Sequence, residues 1–157
     1  MDLGIAGKKA LVCGASAGLG YACAQALVRE GVDVLLVART EAPLQAAAEG
    51  LRSLGAGAVQ CVAADVTTDD GRARILAVQQ DFDIVVTNAG GPPPGDFRDW
   101  DRDIWLRALE ANMLAPIALI KATVDGMMAR GFGRIVNITS SAVQSPVDRK
   151  STRLNSS

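Results

Sequence analysis

Three glycines have the spacing to cradle a phosphate. Gly14, Gly18 and Gly20 follow the apolar run at residues 10–13. They precede a stretch in which Leu19, Ala22, Cys23, Ala26 and Leu27 recur at the intervals of one helix face. A strand, a glycine turn and a helix in that order form the context in which glycines imply dinucleotide binding. A residue without a Cβ lets the main chain approach a pyrophosphate, and the first N–H groups of the helix then face it. A ligand-free glycine turn has the same letters, and the flanking strand and helix argue against it.

Four further places carry groups suited to a ligand. Residues 37–40 read Val-Ala-Arg-Thr, where a dinucleotide fold often has an acid for the ribose hydroxyls. With no acid before Glu41, Arg39 suits the 2′-phosphate of NADP, with NAD as the alternative; a solvated residue before a helix is its other reading. Asp65, followed by Val66, ends a third apolar run. Its carboxylate can accept from an adenine amino group or simply stand at a helix start. Ser140 and Ser141 follow a fifth run, where a hydroxyl can bond a substrate carbonyl or serve a turn. Pro116 lies in a long helical stretch and lacks an N–H, which frees the carbonyl of Asn112 four residues back for water. An ordinary packing kink is the alternative there.

The elements that position these groups alternate. Apolar runs at 8–13, 33–38, 58–64, 82–88 and 134–139 predict strands. Residues 19–30, 41–54, 68–79 and 101–130 predict helices, with Gly31 ending the first and Thr68 capping the third. Leu44, Ala47, Ala48 and Leu51 form the inward face of the second helix. This alternation predicts an α/β fold, a doubly wound parallel sheet in the order 3-2-1-4-5 with right-handed crossovers. Strands one and four adjoin at the switch point, so the Gly14–Gly20 loop and Asn88-Ala89-Gly90 share one crevice.

Composition removes other classes. The chain has 157 residues and a net charge of −1, which gives no basic footprint for nucleic acid or anionic membrane. The absence of histidine excludes Ser-His-Asp hydrolysis and an HExxH zinc site, and no metal site is expected. No run approaches membrane-spanning length, and the first nine residues lack the apolar core of a signal peptide. Cys13, Cys23 and Cys61 read as buried, reduced residues of a cytoplasmic protein.

Taken together, Gly14-x-x-x-Gly18-x-Gly20, Asp65-Val66, Asn88-Ala89-Gly90, Asn112 and the segment Gly133-Arg-Ile-Val-Asn-Ile-Thr-Ser140 resemble the short-chain dehydrogenase/reductase family, in order and spacing over residues 7–146. Cys13 stands where the family usually has threonine. The resemblance implies one Rossmann sheet and a nicotinamide cofactor held by Gly14, Ser16, Gly18, Leu19, Gly20, Arg39, Asp65, Val66, Asn88, Ala89 and Gly90. It implies hydride transfer between the nicotinamide and a small carbonyl or alcohol substrate. Ser140 is similar to the family serine that polarises the carbonyl, and Asn112 to the asparagine whose main-chain carbonyl holds a relay water. Arg39 is similar to the basic residue of NADP-preferring members. A 3-oxoacyl-carrier-protein reductase is one specialisation, a homo-oligomer the implied assembly, and a non-catalytic NADP(H)-binding module the alternative.

The family's Tyr-x-x-x-Lys pair, its general acid/base, has no counterpart. The only tyrosine is Tyr21, and Lys150 stands outside that motif. Residues 148–157 resemble a translated sequencing adapter, with a natural polar terminus as the alternative. The expectation is an incomplete binding domain at 1–147, truncated after the fifth strand, with a non-native tail. Such a chain would be inactive. Ile135, Val136 and Ile138 would lose cover, leaving an open, aggregation-prone sheet edge.

Overall fold

In the computed structural model, residues 2–55, 57–91, 93 and 96–140 are described. Ser141 and the 148–157 stretch, on which two of the sequence expectations bear, lie outside them.

Five strands, β1 (Lys9–Cys13), β2 (Asp33–Ala38), β3 (Val59–Ala63), β4 (Ile84–Thr87) and β5 (Arg134–Asn137), pair in the order β3-β2-β1-β4-β5. Every pairing is parallel, with Leu11 opposite Leu35 on one side and Val85 on the other. The expected doubly wound α/β fold is therefore the observed one. Strand parity divides the core. Ala10, Val12, Val34, Leu36, Ile84 and Val86 face one layer, with Ala24 and Val28 of α1 (Gly18–Arg29) and Leu44, Ala48 and Leu51 of α2 (Glu41–Arg52). Leu11, Cys13, Leu35, Val37 and Val85 face the other, with Ile75 of α3 (Asp69–Val78) and Leu119 and Met127 of α5 (Ala115–Ala129). Near-continuous apolar strands follow from cover on both faces.

Local signals end the elements where the sequence expected. Gly31 takes φ +75° after α1, and the Thr68 hydroxyl accepts from the Gly71 N–H at 3.0 Å to cap α3. Two expectations change. The single helix over 101–130 is three pieces: α4 (Arg102–Leu109), a π turn (Glu110–Leu114) and α5. In the π turn the Ala115 N–H reaches the Glu110 carbonyl, five residues back. In that register the N–H that Pro116 lacks would serve the carbonyl of Ala111 as readily as that of Asn112, so proline and the widened turn together loosen this point. Of the cysteines only Cys13 is buried; Cys23 and Cys61 are half-buried, because each sits at the margin of a helix or edge-strand face. All three are unpaired.

Among the described residues β5 lies at one edge of the sheet, where Ile135 and Val136 are 38% and 45% exposed, while Ile138 is half-buried against the first layer. A second apolar surface runs along α4, the π turn and the start of α5, through Trp105, Leu106, Leu109, Met113, Leu114 and Ile117. No helix among the described residues is long and apolar enough to cross a membrane.

Candidate cofactor site

The carboxyl ends of β1, β2, β3 and β4 open into one cavity of about 500 Å³. That is within the usual range for small-molecule sites, roughly 300–1,000 Å³. Gly14 and Ser16 line it from the β1–α1 loop, and Val37, Ala38, Arg39 and Thr40 from the end of β2. Asp65, Val66 and Thr67 follow β3, and Asn88, Ala89, Gly90 and Gly91 follow β4. Eight of the residues singled out by sequence are therefore brought together: Gly14, Ser16, Arg39, Asp65, Val66, Asn88, Ala89 and Gly90.

The glycine loop is built for close approach. Gly14 has φ +60°, a conformation disfavoured for side chains, and a Cβ there would lie 2.6 Å from Asn88 Nδ2. Asn88 Nδ2 donates to the Gly14 carbonyl at 3.4 Å, which ties the β1 and β4 loops together across the switch point. A Cβ on Gly20 would stand 2.2 Å from the Gly14 carbonyl oxygen, so α1 can seat against the loop only through glycine. The start of α1 has no side-chain cap and no acid in its first turn. By contrast α3 is capped by Thr68 and α4 by Asp101, with acids in both first turns. The α1 N–H groups and dipole are thus left for an anion.

At the other end of the cavity the groups suit an adenosine. Asp65 Oδ1 accepts from the Thr67 N–H at 3.0 Å and the Thr67 hydroxyl at 2.7 Å. Burial acts to raise the Asp65 pKa, but the two Thr67 bonds and the nearby Arg39 charge outweigh it, and the carboxyl titrates below its ordinary value. Asp65 is therefore ionised at neutral pH. It also shapes the turn that leads into α3, as its helix-entry reading expects. Arg39 is exposed at the cavity rim and pairs with no carboxylate in salt-bridge contact among the described residues.

The remaining residues lie elsewhere. Gly18, Leu19, Gly20, Asn112 and Ser140 do not belong to the described lining. Leu19 is 65% exposed, and Gly20 packs inward on Gly14. Asn112 is exposed on the π turn, and its side chain donates back to the Ala108 carbonyl at 3.0 Å. Ser140 is exposed beyond β5, where the Ile138 N–H still reaches the Thr87 carbonyl at 3.0 Å. Tyr21 packs in the α1–α2 layer with its hydroxyl near Gly50, away from the cavity.

Sequence reasoning overlooked the fourth wall. Ile104, Arg107, Ala108 and Ala111 line the cavity from α4 and the π turn, joined by Glu110. Positions 104, 107, 108 and 111 have the spacing of one helix face, which is the signal that could have found them. Cys13 lies beneath the loop. Burial pushes its thiol pKa up to about 12 despite a contact from the Asn88 backbone, so it is not an ionising group of the site.

These features fit a dinucleotide: a cradle that a Cβ would fill, an uncapped helix start and a cation at the rim. Comparison with known proteins agrees. An L-sorbose reductase from Gluconobacter frateurii, solved with NADPH and L-sorbose, superposes with a TM-score of 0.88 at 33% identity, over 94% of this chain and 57% of that one. An uncharacterized oxidoreductase of Bacillus subtilis is 32% identical over 147 residues, 93% of this chain and 56% of the relative. A ketoacyl reductase of Nostoc is 32% identical over 142 residues, 88% of this chain and 49% of the relative. The chain thus spans about half the length of these relatives. The family model for short chain dehydrogenases matches residues 8–152, covering both the glycine loop and the strand that leads to Ser140, and the chain accordingly belongs to the short chain dehydrogenase family.

Proposed function

We propose that the chain is the cofactor-binding part of an NADP(H)-dependent oxidoreductase that interconverts a carbonyl and an alcohol. The observation that carries this is the joining of the Gly14 loop to Asn88 at the mouth of a parallel sheet, with Arg39 and Asp65 on the same cavity. The N–H groups at the start of α1 receive the pyrophosphate, for which Gly14, Ser16, Gly18, Leu19 and Gly20 shape the approach. Asp65 accepts from the adenine amino group, with Val66 against the ring. Arg39 pairs with the 2′-phosphate, and NAD is the weaker ligand. Asn88, Ala89 and Gly90 form the floor toward the nicotinamide, which supplies the hydride donor or acceptor when bound. The Ser140 hydroxyl donates to the substrate carbonyl oxygen, and the main-chain carbonyl of Asn112 holds a water of the proton relay.

A sugar ketone or a 3-oxoacyl group fits this reaction class, as the names of the sorbose and ketoacyl reductases suggest. The single tyrosine, Tyr21, packs away from the cavity. The 157 residues by themselves therefore bind NADP(H) without turnover, since a missing proton donor costs roughly 10²–10⁴-fold. Residues 1–147 form the native binding domain and 148–157 a non-native tail. The apolar surface on α4 and α5 is covered by a second copy in the assembled protein. A reducing cytoplasm suits the three unpaired cysteines.

Titration with NADPH and NADH, followed by nicotinamide fluorescence, tests the reading. NADPH should bind more tightly. Arg39→Asp should shift the preference toward NADH by about 10–100-fold, the scale of one or two charge-assisted hydrogen bonds. Binding of neither cofactor, or an unchanged preference in the variant, overturns it.

A further inference from the structure

Arg72 stands behind the cavity wall, not in it. It lies in the first turns of α3, with its side chain only 15% exposed. One guanidinium nitrogen donates to the Val66 carbonyl at 2.7 Å, and the same nitrogen lies 3.8 Å from Glu110 Oε1. The other terminal nitrogen pairs with Asp69. Val66 and Glu110 line the cavity from different elements: Val66 from the turn after β3, Glu110 from the π turn. Among the described residues this is the ion pair that crosses from α3 to that turn.

The turn on the Arg72 side is seated firmly. The Thr68 N–H and hydroxyl both donate to the Asp65 carbonyl, at 3.2 and 3.0 Å. A Cβ on Gly71 would stand 1.9 Å from that same oxygen, so α3 sits directly beneath the turn. The opposite wall is different. It belongs to α4 and a rare π turn, followed by Pro116, which supplies no N–H to the carbonyls of that turn. Arg72 joins the firm wall to the loose one.

We propose that Arg72, acting through Val66 and Glu110, is a positioning residue that sets the spacing between the Asp65–Val66 turn and the α4–π-turn wall. This rests on the reading that the cavity receives the adenosine half of NADP(H). A flat ring held between two walls loses a quarter to a half of its dispersion attraction on one side when the gap widens by roughly 0.5–1 Å. The planar guanidinium meets Val66 and Glu110 from one nitrogen while its other terminal nitrogen is held on Asp69, a fixed arrangement that a lysine ammonium on a flexible stem keeps less well.

The test uses the 157-residue chain, with NADPH and adenosine 2′,5′-bisphosphate as probes. Arg72→Met and Glu110→Gln should each weaken both ligands by about tenfold. Arg72→Lys should recover part of the loss. The double variant Arg72→Met/Glu110→Gln should be little worse than Arg72→Met, because the pair acts as a unit. Glu110→Gln preserves size and leaves the Arg72–Val66 bond intact, so it decides the matter if Arg72→Met fails to fold by circular dichroism. Wild-type affinity in folded Glu110→Gln, or losses that multiply in the double variant, overturn the proposal. Failure of the unsubstituted chain to bind either probe overturns the cavity reading itself, and this proposal with it.

Discussion

Replacing Gly20 by alanine should damage both the fold and the ligand loop. The new Cβ would lie 2.2 Å from the Gly14 carbonyl oxygen, 2.7 Å from its carbon and 2.9 Å from the Cys13 carbonyl oxygen. Ordinary contacts of this kind begin at about 3.5 Å, so the loop or the helix must move by about 1 Å. All three atoms are backbone, and no side chain can swing aside. Overpacking of this sort costs about 3 kcal/mol at the upper end of its usual range. Alanine returns about 1 kcal/mol of helix propensity, leaving a net loss of about 2 kcal/mol. At this chain length that lowers the melting temperature by about 4–8 °C. The same displacement moves the loop N–H groups off their anion and should weaken NADPH about tenfold or more. Gly18→Ala is the comparison. Gly18 has φ +59° but open space around it, so its cost in stability is about 1 kcal/mol of backbone strain alone. Thermal melts by circular dichroism and fluorescence titration read both quantities. Equal melting temperatures for the two variants, or wild-type NADPH affinity in Gly20→Ala, would refute the close-approach argument.

Acidification provides a second check. The folded pKa of Asp65 is depressed, so its contribution to stability is complete above the unfolded value near 4 and fades as pH falls through the folded value. The acid limb of the melting temperature between about pH 5 and about pH 3 should therefore be shallower in Asp65→Asn, and parallel limbs would contradict the assignment. The Cys13 thiol is buried and pushed up to about 12, so Ellman's reagent at neutral pH should leave it unmodified until urea unfolds the chain. Mass mapping that finds native Cys13 labelled would count against its burial.

The parallel sheet was readable from sequence because the central strands β1, β2 and β4 are near-continuous apolar runs between more polar helices, the pattern that cover on both faces demands. The caps were readable for a similar reason. Thr68 and Gly31 act on neighbours within a few residues, and local chemistry leaves a local signature. Non-local geometry left no such trace. Pro116 announces a disturbed helix, yet whether the chain answers with a kink or a wide turn depends on what α5 packs against. Arg72 was invisible because its partners come from the turn after β3 and from Glu110, which adjoin only in the folded chain. The glycines show both sides. Their spacing marked the turn between β1 and α1, but the tertiary structure gives Gly20 the separate task of admitting the Gly14 carbonyl.

The wide turn at Glu110–Leu114 also works as a phase adjuster. One surplus residue within a turn sets back everything downstream by about 100°. Ile104 and Ala108 look toward the cavity, while Ala115, Leu119, Thr123 and Met127 form the stripe that α5 buries. The setback turns the α5 stripe by about 100° from where an unbroken α-helix would carry it relative to Ile104 and Ala108. Excising a single residue there would dial Leu119 out of the core, even though no atom of the core had been altered.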